Sequence, residues 1–456
     1  MNSKNKLPYL LAAIFMILFL FIVSRGLAAA QPGDENVYYY MAKLVSEGKV
    51  PYKDFFYAHP PLHTYILAIV YKIFGFNIVA LKMVPLASSL VTSFFVFKIA
   101  KEKFGNYEAL AALALFLFSY TVMFNSVFSF GIMTATMFLT IGFYFLTIKN
   151  NYLIAGIFFA IAGMTRLLAL IPAAIAVLFI LFSNRRNFVK LSSSFFIVFM
   201  LVNISFILIA GSNYTDSVYK YHFLKTVSAE NNLKEYSDII KLNWVPFLSA
   251  SLIIFIKEKR NMGIFAVCAF SYLVFLIFLK KIFGFYFIAV FPLLAIIGGY
   301  SIITLFRKLT FNKKIKTGIS ILLALIFIWS LASDILFLQR IGFTGFDRGK
   351  DLSDFINSDK STLLFGDDST APLLALMTGK PIALDIVDTN DQVFTSGLVN
   401  LKSALNRIKG KGVLFVARNR QGISQFPEAI EFLNKDCQLL SQFHDRIEGD
   451  YLIYRC

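Results

Sequence analysis

Residues 4–62 read KNKLPYLLAAIFMILFLFIVSRGLAAAQPGDENVYYYMAKLVSEGKVPYKDFFYAHPPL. Lys4 and Lys6 precede an apolar run over 7–23, and a dense polar stretch follows from Pro32 to Leu62. Basic residues on one flank of such a run place that flank in the cytoplasm. The run is long for a signal-peptide core, and Leu27-Ala28-Ala29-Ala30 matches a cleavage site only loosely, so a retained helix is expected. The polar stretch then emerges on the extracytoplasmic side.

The rest of the chain extends this pattern. Of 456 residues, 57% are hydrophobic and 16% charged, well below the roughly 25% charge of a soluble domain. The 52 phenylalanines suit lipid-facing helices. A net charge of +17 raises the question of a nucleic-acid partner, but its distribution excludes one. From Gln339 onward there are 14 Lys and Arg against 15 Asp and Glu, so the first 338 residues carry the whole excess. It sits in short loops between apolar runs, where it reports topology.

Ten more runs follow at 77–100, 107–124, 130–148, 152–165, 167–183, 191–211, 244–256, 262–279, 284–306 and 317–337. A crossing needs about 20 residues, so 152–165 and 244–256 are short and call for tilt or shelter among neighbours. Alternation puts Lys101-Glu102-Lys103, Lys149, Arg185-Arg186, Lys257-Glu258-Lys259-Arg260 and the Arg307 to Lys316 cluster all in the cytoplasm. Eleven is odd, so the C-terminus falls outside. The expected fold is a polytopic α-helical membrane protein of about 11 transmembrane helices, spanning 1–338 with a first outer loop at 30–76. A soluble extracytoplasmic α/β domain occupies 339–456. In that domain, residues 362–366, 412–416 and 450–454 read as strands, and 398–408 and 426–433 as helices. No phosphate-binding glycine loop appears in it, and its expected role is accessory. Cys437 and Cys456 lie there and are free to pair or not; Cys268 reads as a small buried hydrophobe.

The chemistry concentrates in the first outer loop. Asp34-Glu35 has a plain reading as a helix start, with Gly33 or Asp34 as the cap of a short amphipathic helix ending at Glu47-Gly48. His59-Pro60-Pro61 fixes a rigid turn before a second helix, whose mixture of apolar residues with His63, Thr64, Tyr65 and Lys72 suits the membrane interface.

Gly33-Asp34-Glu35 after the first helix, Pro51-Tyr52-Lys53-Asp54-Phe55 and His59-Pro60-Pro61-Leu62 together resemble the GT-C superfamily of polyprenyl-phosphate-sugar-dependent transferases. The closest branch is the protein O-mannosyltransferase and lipid A aminoarabinose transferase group. The resemblance implies two interfacial helices in the first outer loop, many spans and an outer C-terminal domain. It also implies transfer of a sugar from a dolichyl or undecaprenyl phosphate carrier, with inversion. On it, Asp34 is the catalytic carboxylate and Glu35 supports it. The chemistry agrees, because the acceptor hydroxyl must lose its proton and a carboxylate can take it. The leaving phosphate needs cationic or hydrogen-bonding partners. His59, Arg166 and Lys280-Lys281 are the candidates, with Tyr286 in the Phe283-Gly284-Phe285-Tyr286 segment that resembles the family's late span. Arg166 also reads as a snorkelling residue, and Lys280-Lys281 as surface anchors. Asp54, Tyr57 and Asn125 are assigned to the acceptor or sugar pocket.

There is one departure. Relatives often carry a second acid in the next outer loop, but Phe124-Asn125-Ser126-Val127-Phe128-Ser129-Phe130 has none. This weakens any two-carboxylate or metal-assisted scheme. No cofactor is assigned; a divalent cation is possible but not indicated. The tryptophan-rich signature of oligosaccharyltransferases is missing as well, since Trp244 and Trp329 are the only tryptophans. Asn213-Tyr214-Thr215 is a sequon on the outer side. The expected partners are the lipid-linked donor, an unidentified acceptor and membrane lipid. A transporter or flippase is the competing class. It would show charged or helix-breaking residues at mid-membrane depth in repeated halves, and no clear repeat is found.

Overall fold

The computed structural model describes residues 6–225, 229–257, 262–310, 312–419, 421–446 and 449–456. Lys4 and the Glu258-Lys259-Arg260 part of one expected cytoplasmic loop lie outside the described residues.

Helix forms over every one of the eleven apolar runs, but only some reach the length of a crossing. Among the described residues, five helices are long and apolar enough: Leu7–Ala28, Ile78–Lys103, Arg185–Ala210, Gly284–Lys308 and Lys313–Gly342. Asn232–Leu242 and Trp244–Phe255, bent by 84° at a break, make a sixth if they count as one span. Shorter apolar helices occupy Asn106–Leu117, Ile132–Thr147, Tyr152–Thr165, Leu167–Ser183 and Gly263–Ile277. At about 1.5 Å of rise per residue, 16 residues reach about 24 Å, short of the roughly 30 Å hydrocarbon core. The breaks have local causes. Ser119 interrupts the 107–124 run in an extended conformation, and Arg166, at φ −152°, separates the 152–165 and 167–183 runs.

The chain divides into two compact units that are not contiguous in sequence. The first comprises Met1–Ala28, Lys82–Val202 and Ser228–Phe343, and holds most of the apolar helices. Its helices approach closely where side chains are small, as membrane helices do. A Cβ on Gly299 would stand 2.6 Å from Ala112 N and 2.7 Å from Glu108 O, and one on Gly156 would stand 2.1 Å from Ser194 Oγ. At the Gly299 crossing the two helices are pinned by a fork. Arg307 donates to both oxygens of Glu108, at 2.5 and 3.3 Å. Glu108 is buried and Arg307 is half exposed. Arg307→Ala would strand a buried carboxylate, and we expect a loss of about 1–3 kcal/mol, seen as a lower melting temperature in detergent.

The second unit comprises Ala29–Leu81, Asn203–Val227 and Thr344–Cys456. Residues 30–76 and the residues from Thr344 onward, expected in different domains, thus fall in one unit. The reason is the Glu35–Ser46 helix, which buries Tyr39, Tyr40 and Met41. Tyr40 Oη accepts the Ile382 N–H at 2.7 Å, and Lys49 pairs with Asp385 at 2.5 Å. Burial pushes the Tyr40 hydroxyl up to about 12, so it remains protonated.

The C-terminal part carries a four-stranded sheet: β1 (Leu363–Gly366), β2 (Val413–Arg418), β3 (Gln438–Asp445) and β4 (Gly449–Arg455), in the order β1-β2-β4-β3. β1 and β2 are parallel, with Leu363 opposite Val413, and β4 runs antiparallel to both β2 and β3. Three of these strands answer the expected ones. Cys437 and Cys456 are joined in a disulfide that ties the start of β3 to the end of β4.

Candidate active site

The site grows from the turn at residues 31–36. Asp34 is the N-cap residue of the Glu35–Ser46 helix, yet its side chain makes no capping hydrogen bond. The carboxylate is exposed at a helix N-terminus, so the plain reading of Asp34 as a cap does not account for it. Glu35 points the other way. It is 1% exposed and accepts a hydrogen bond from Tyr39 Oη at 3.0 Å.

This turn is held against the segment that leaves β1. Gly33 N donates to the Ser369 carbonyl at 3.0 Å, and Asn36 Nδ2 reaches the same oxygen at 3.2 Å. Asn36 is fully buried, and its Nδ2 also lies 2.9 Å from the Gln31 carbonyl and 3.1 Å from that of Gly33. The facing segment reads Gly366-Asp367-Asp368-Ser369-Thr370. It leaves the C-terminal end of a parallel strand, a usual place for ligand sites in α/β sheets.

Asp367 is buried and committed to structure. Its Oδ1 accepts from Ser369 Oγ at 2.5 Å and Thr370 Oγ1 at 3.1 Å, and its Oδ2 stands 3.4 Å from Arg418 Nε. Asp368 is 9% exposed. Burial pushes its carboxyl well above the ordinary carboxylate range, and the charges of Asp367, Asp34 and Asp388 add to this, against a hydrogen bond from Asn390. Asp388 is half-buried. Burial, Asp34 and Asp391 push it up to about 6, opposed by the Asn390 N–H and Lys225. Sequence reasoning missed Asp368 and Asp388. The signal for the first was an acidic pair directly after an apolar strand.

The second feature of this unit is a cluster of rings around His59. Tyr38 Oη lies 3.2 Å from His59 Nε2, and Tyr52 Oη donates to the His59 carbonyl at 2.6 Å. The His222 ring lies 5.7 Å from that of His59, and its Nε2 is 3.0 Å from the Ala58 carbonyl. Tyr57 is buried edge-on against Tyr38 and His59. Tyr38 also meets the buried His63 at 5.8 Å. Three of the four histidines thus share one neighbourhood. Among the described residues no group of three or more His, Cys, Asp or Glu has the geometry to hold a metal ion. Asp54 is exposed and accepts the Val50 N–H at 2.7 Å, fixing the turn in which Tyr52 takes a φ of 69°.

The remaining sequence-predicted residues belong to the first unit. Arg166 follows the Tyr152–Thr165 helix and is 6% exposed, so it does not snorkel outward. Asn125 is buried and donates to the Thr121 carbonyl at 2.8 Å. Lys280 is exposed, and Lys281 Nζ lies 5.1 Å from the Phe283 ring centre. Their turn is clamped by Asn232, which donates to the Leu279 carbonyl at 2.8 Å and accepts the Ile282 N–H at 2.9 Å. The Tyr286 carbonyl accepts from Tyr272 Oη at 2.7 Å. One cation escaped the sequence reading because it lies within an apolar run. Lys82 is fully buried, donates to the Gly26 carbonyl at 3.1 Å and sits 4.7 Å from the Phe128 ring centre.

With this geometry in hand, the comparisons with known proteins agree with one another. A family model described as dolichyl-phosphate-mannose-protein mannosyltransferase matches residues 58–210. ArnT from Cupriavidus metallidurans, solved bound to undecaprenyl phosphate, superposes with a TM-score of 0.68 at 14% identity. That match covers 99% of this chain and 98% of ArnT. Archaeal oligosaccharyltransferase AglB from Archaeoglobus fulgidus, solved with an inhibitory peptide and a dolichol-phosphate, gives 0.62 at 10% identity, over 99% of this chain and 74% of AglB. No curated protein sequence matches the chain. At these identities the likeness establishes the fold, and it is the GT-C fold that the motifs at 33–62 implied.

Proposed function

We propose that this chain is a membrane glycosyltransferase that moves a sugar from a polyprenyl phosphate carrier, dolichyl or undecaprenyl, to a hydroxyl of a protein, lipid or glycan. The reaction takes place on the extracytoplasmic face. The acceptor oxygen attacks the anomeric carbon, the bond from that carbon to the phosphate oxygen breaks, and the polyprenyl phosphate leaves with the bonding electrons. Asp34 takes the acceptor proton, and in-line attack inverts the centre.

The observation that carries this reading is the Asp34 carboxylate, exposed at a helix start and not spent on capping it, in a chain with the fold of lipid-phosphate-binding transferases. Glu35, bonded to Tyr39, supports the turn. We assign the donor phosphate and lipid to His59, Arg166, Lys280, Lys281 and Tyr286, and add Lys82, a buried cation of the kind that pairs with phosphate. Asp54, Tyr57 and Asn125 are assigned to the acceptor or sugar. All eleven helical runs cross or enter the bilayer, with the N-terminus cytoplasmic and the C-terminal domain outside.

The test uses purified full-length protein in liposomes with undecaprenyl and dolichyl phosphates carrying labelled mannose or aminoarabinose, and a membrane extract as acceptor source. Label leaving the carrier only when the protein is present is the expected result. Label that crosses the bilayer while still on its carrier would identify a flippase and end the transferase reading.

A further inference from the structure

Asp34 is poorly placed to be a base if considered alone. It stands at the N-terminus of the Glu35–Ser46 helix, where the helix dipole favours the ionised form and weakens it as a proton acceptor. A base near a helix start needs something to oppose that field. In the sequence, the expected second acid is missing from 124–130. In the structure, the residues flanking Asp34 are hydrogen-bonded to an acidic segment from a different part of the chain.

We propose that Asp368 and Asp388 of the C-terminal domain are positioning residues for Asp34: held opposite it, their carboxyl groups strengthen it as a proton acceptor. The geometry is set by backbone. Gly33 N and Asn36 Nδ2 both bind the Ser369 carbonyl, so Asp34, next to Gly33, and Asp368, next to Ser369, are held on adjoining backbone segments. Asp368 is kept there by the turn that Asp367 closes with Ser369 and Thr370. Asp388 is brought to the same end of the sheet by its neighbour Thr389, whose Oγ1 donates to the Gly366 carbonyl at 2.6 Å.

The field is felt in both directions. The Asp34 charge is among the causes that raise Asp368 and Asp388, and an interaction between two charges has one energy whichever partner is titrated. Other charged groups among the described residues bear on the site. Asp367 is matched by Arg418, Glu35 is turned inward onto Tyr39, Asp391 lies beside Asp388, and Lys225 opposes it. Asp388 is pushed up to about 6, which leaves it mainly ionised at neutral pH. Burial holds Asp368 well above the ordinary carboxylate range, so it keeps its proton more tightly than an ordinary carboxyl.

This inference rests on Asp34 as the base, so its test uses a probe that needs no catalysis. The full-length Asp34→Cys protein places a thiol at the position in question. Only thiolate is alkylated, so the pH midpoint of iodoacetamide labelling reports the local field. The background is low, because Cys268 is buried and Cys437 is bonded to Cys456. Labelling of the unsubstituted protein is subtracted. Removing a negative neighbour favours thiolate, so Asp388→Asn should lower the midpoint by about half a pH unit or more, and Asp368→Asn with it should lower it further. Asp368→Asn alone is the second variant should Asp388→Asn fail to fold, as judged by size-exclusion profile. An unchanged midpoint in every folded variant overturns the proposal. In the transfer assay, with Asp34 restored, Asp388→Asn should move the acid limb of the pH–rate profile to lower pH. A moved midpoint with an unmoved acid limb would show that the field exists but that Asp34 is not the group titrating in catalysis, which fails the underlying reading instead.

Discussion

Asp34→Asn is expected to abolish sugar transfer, with a loss of at least about 10²-fold if proton abstraction is all that is removed. The variant is informative because its structural cost is small. Asn is as good a helix N-cap as Asp, and the native carboxylate makes no capping bond to lose. Binding of polyprenyl phosphate should therefore persist while turnover disappears. Asp34→Glu keeps a carboxylate but moves it by one methylene, and should retain a small residual rate. Transfer at the native rate by Asp34→Asn, in protein that still binds the carrier, would rule out a general base at this position.

Gly366→Ala should be nearly as damaging, by a different route. Gly366 ends β1 at a φ of 141°, and a Cβ there would lie 1.9 Å from the Val416 carbonyl oxygen and 2.8 Å from Val416 N. Those atoms are backbone of the paired strand and cannot turn aside. The same oxygen accepts the Asp367 N–H at 2.8 Å. The alanine must therefore separate the end of β1 from β2, at a cost of at least about 3 kcal/mol. It would also displace the acidic segment that follows. The expected readouts are protease sensitivity of residues 344–456 and a fall in activity together. Gly379→Ala serves as the control. Gly379 also has a positive φ, 75°, but nothing lies within 4 Å of its Cβ position, so its loss should be about 1 kcal/mol. Equal stability of the two variants would remove the steric account.

Local signals in the sequence carried far, and they failed where the fold depends on distance. The Pro60-Pro61 pair announced the helix Leu62–Phe74, and Glu47-Gly48 announced the end of Glu35–Ser46. Short apolar runs revealed β1, β2 and β4. β3 escaped because Gln438-Leu439-Leu440-Ser441-Gln442-Phe443-His444-Asp445 lies at the sheet edge, where much of it is exposed and polar residues are tolerated. The catalytic candidate Asp34 was legible because its motif is local. Its neighbours Asp368 and Asp388 were not, since more than 300 residues separate them from it and no spacing rule connects them. Lys82 was hidden for the opposite reason. A single lysine in an apolar run reads as an interruption, and only packing shows that it is buried against Gly26 and Phe128.

The contacts of Asn36 with Ser369 and of Tyr40 with Ile382 join residues 333 and 342 positions apart. During synthesis the Glu35–Ser46 helix therefore leaves the ribosome hundreds of residues before its packing surface exists. A chain elongating at 5–20 residues per second makes it wait on the order of 20–60 seconds. A nascent polypeptide halted before residue 369 has made the Glu35–Ser46 helix and lacks both of these partners. Completion of the turn that begins the Glu35–Ser46 helix is thus gated by synthesis of the segment that carries Ser369 and Ile382.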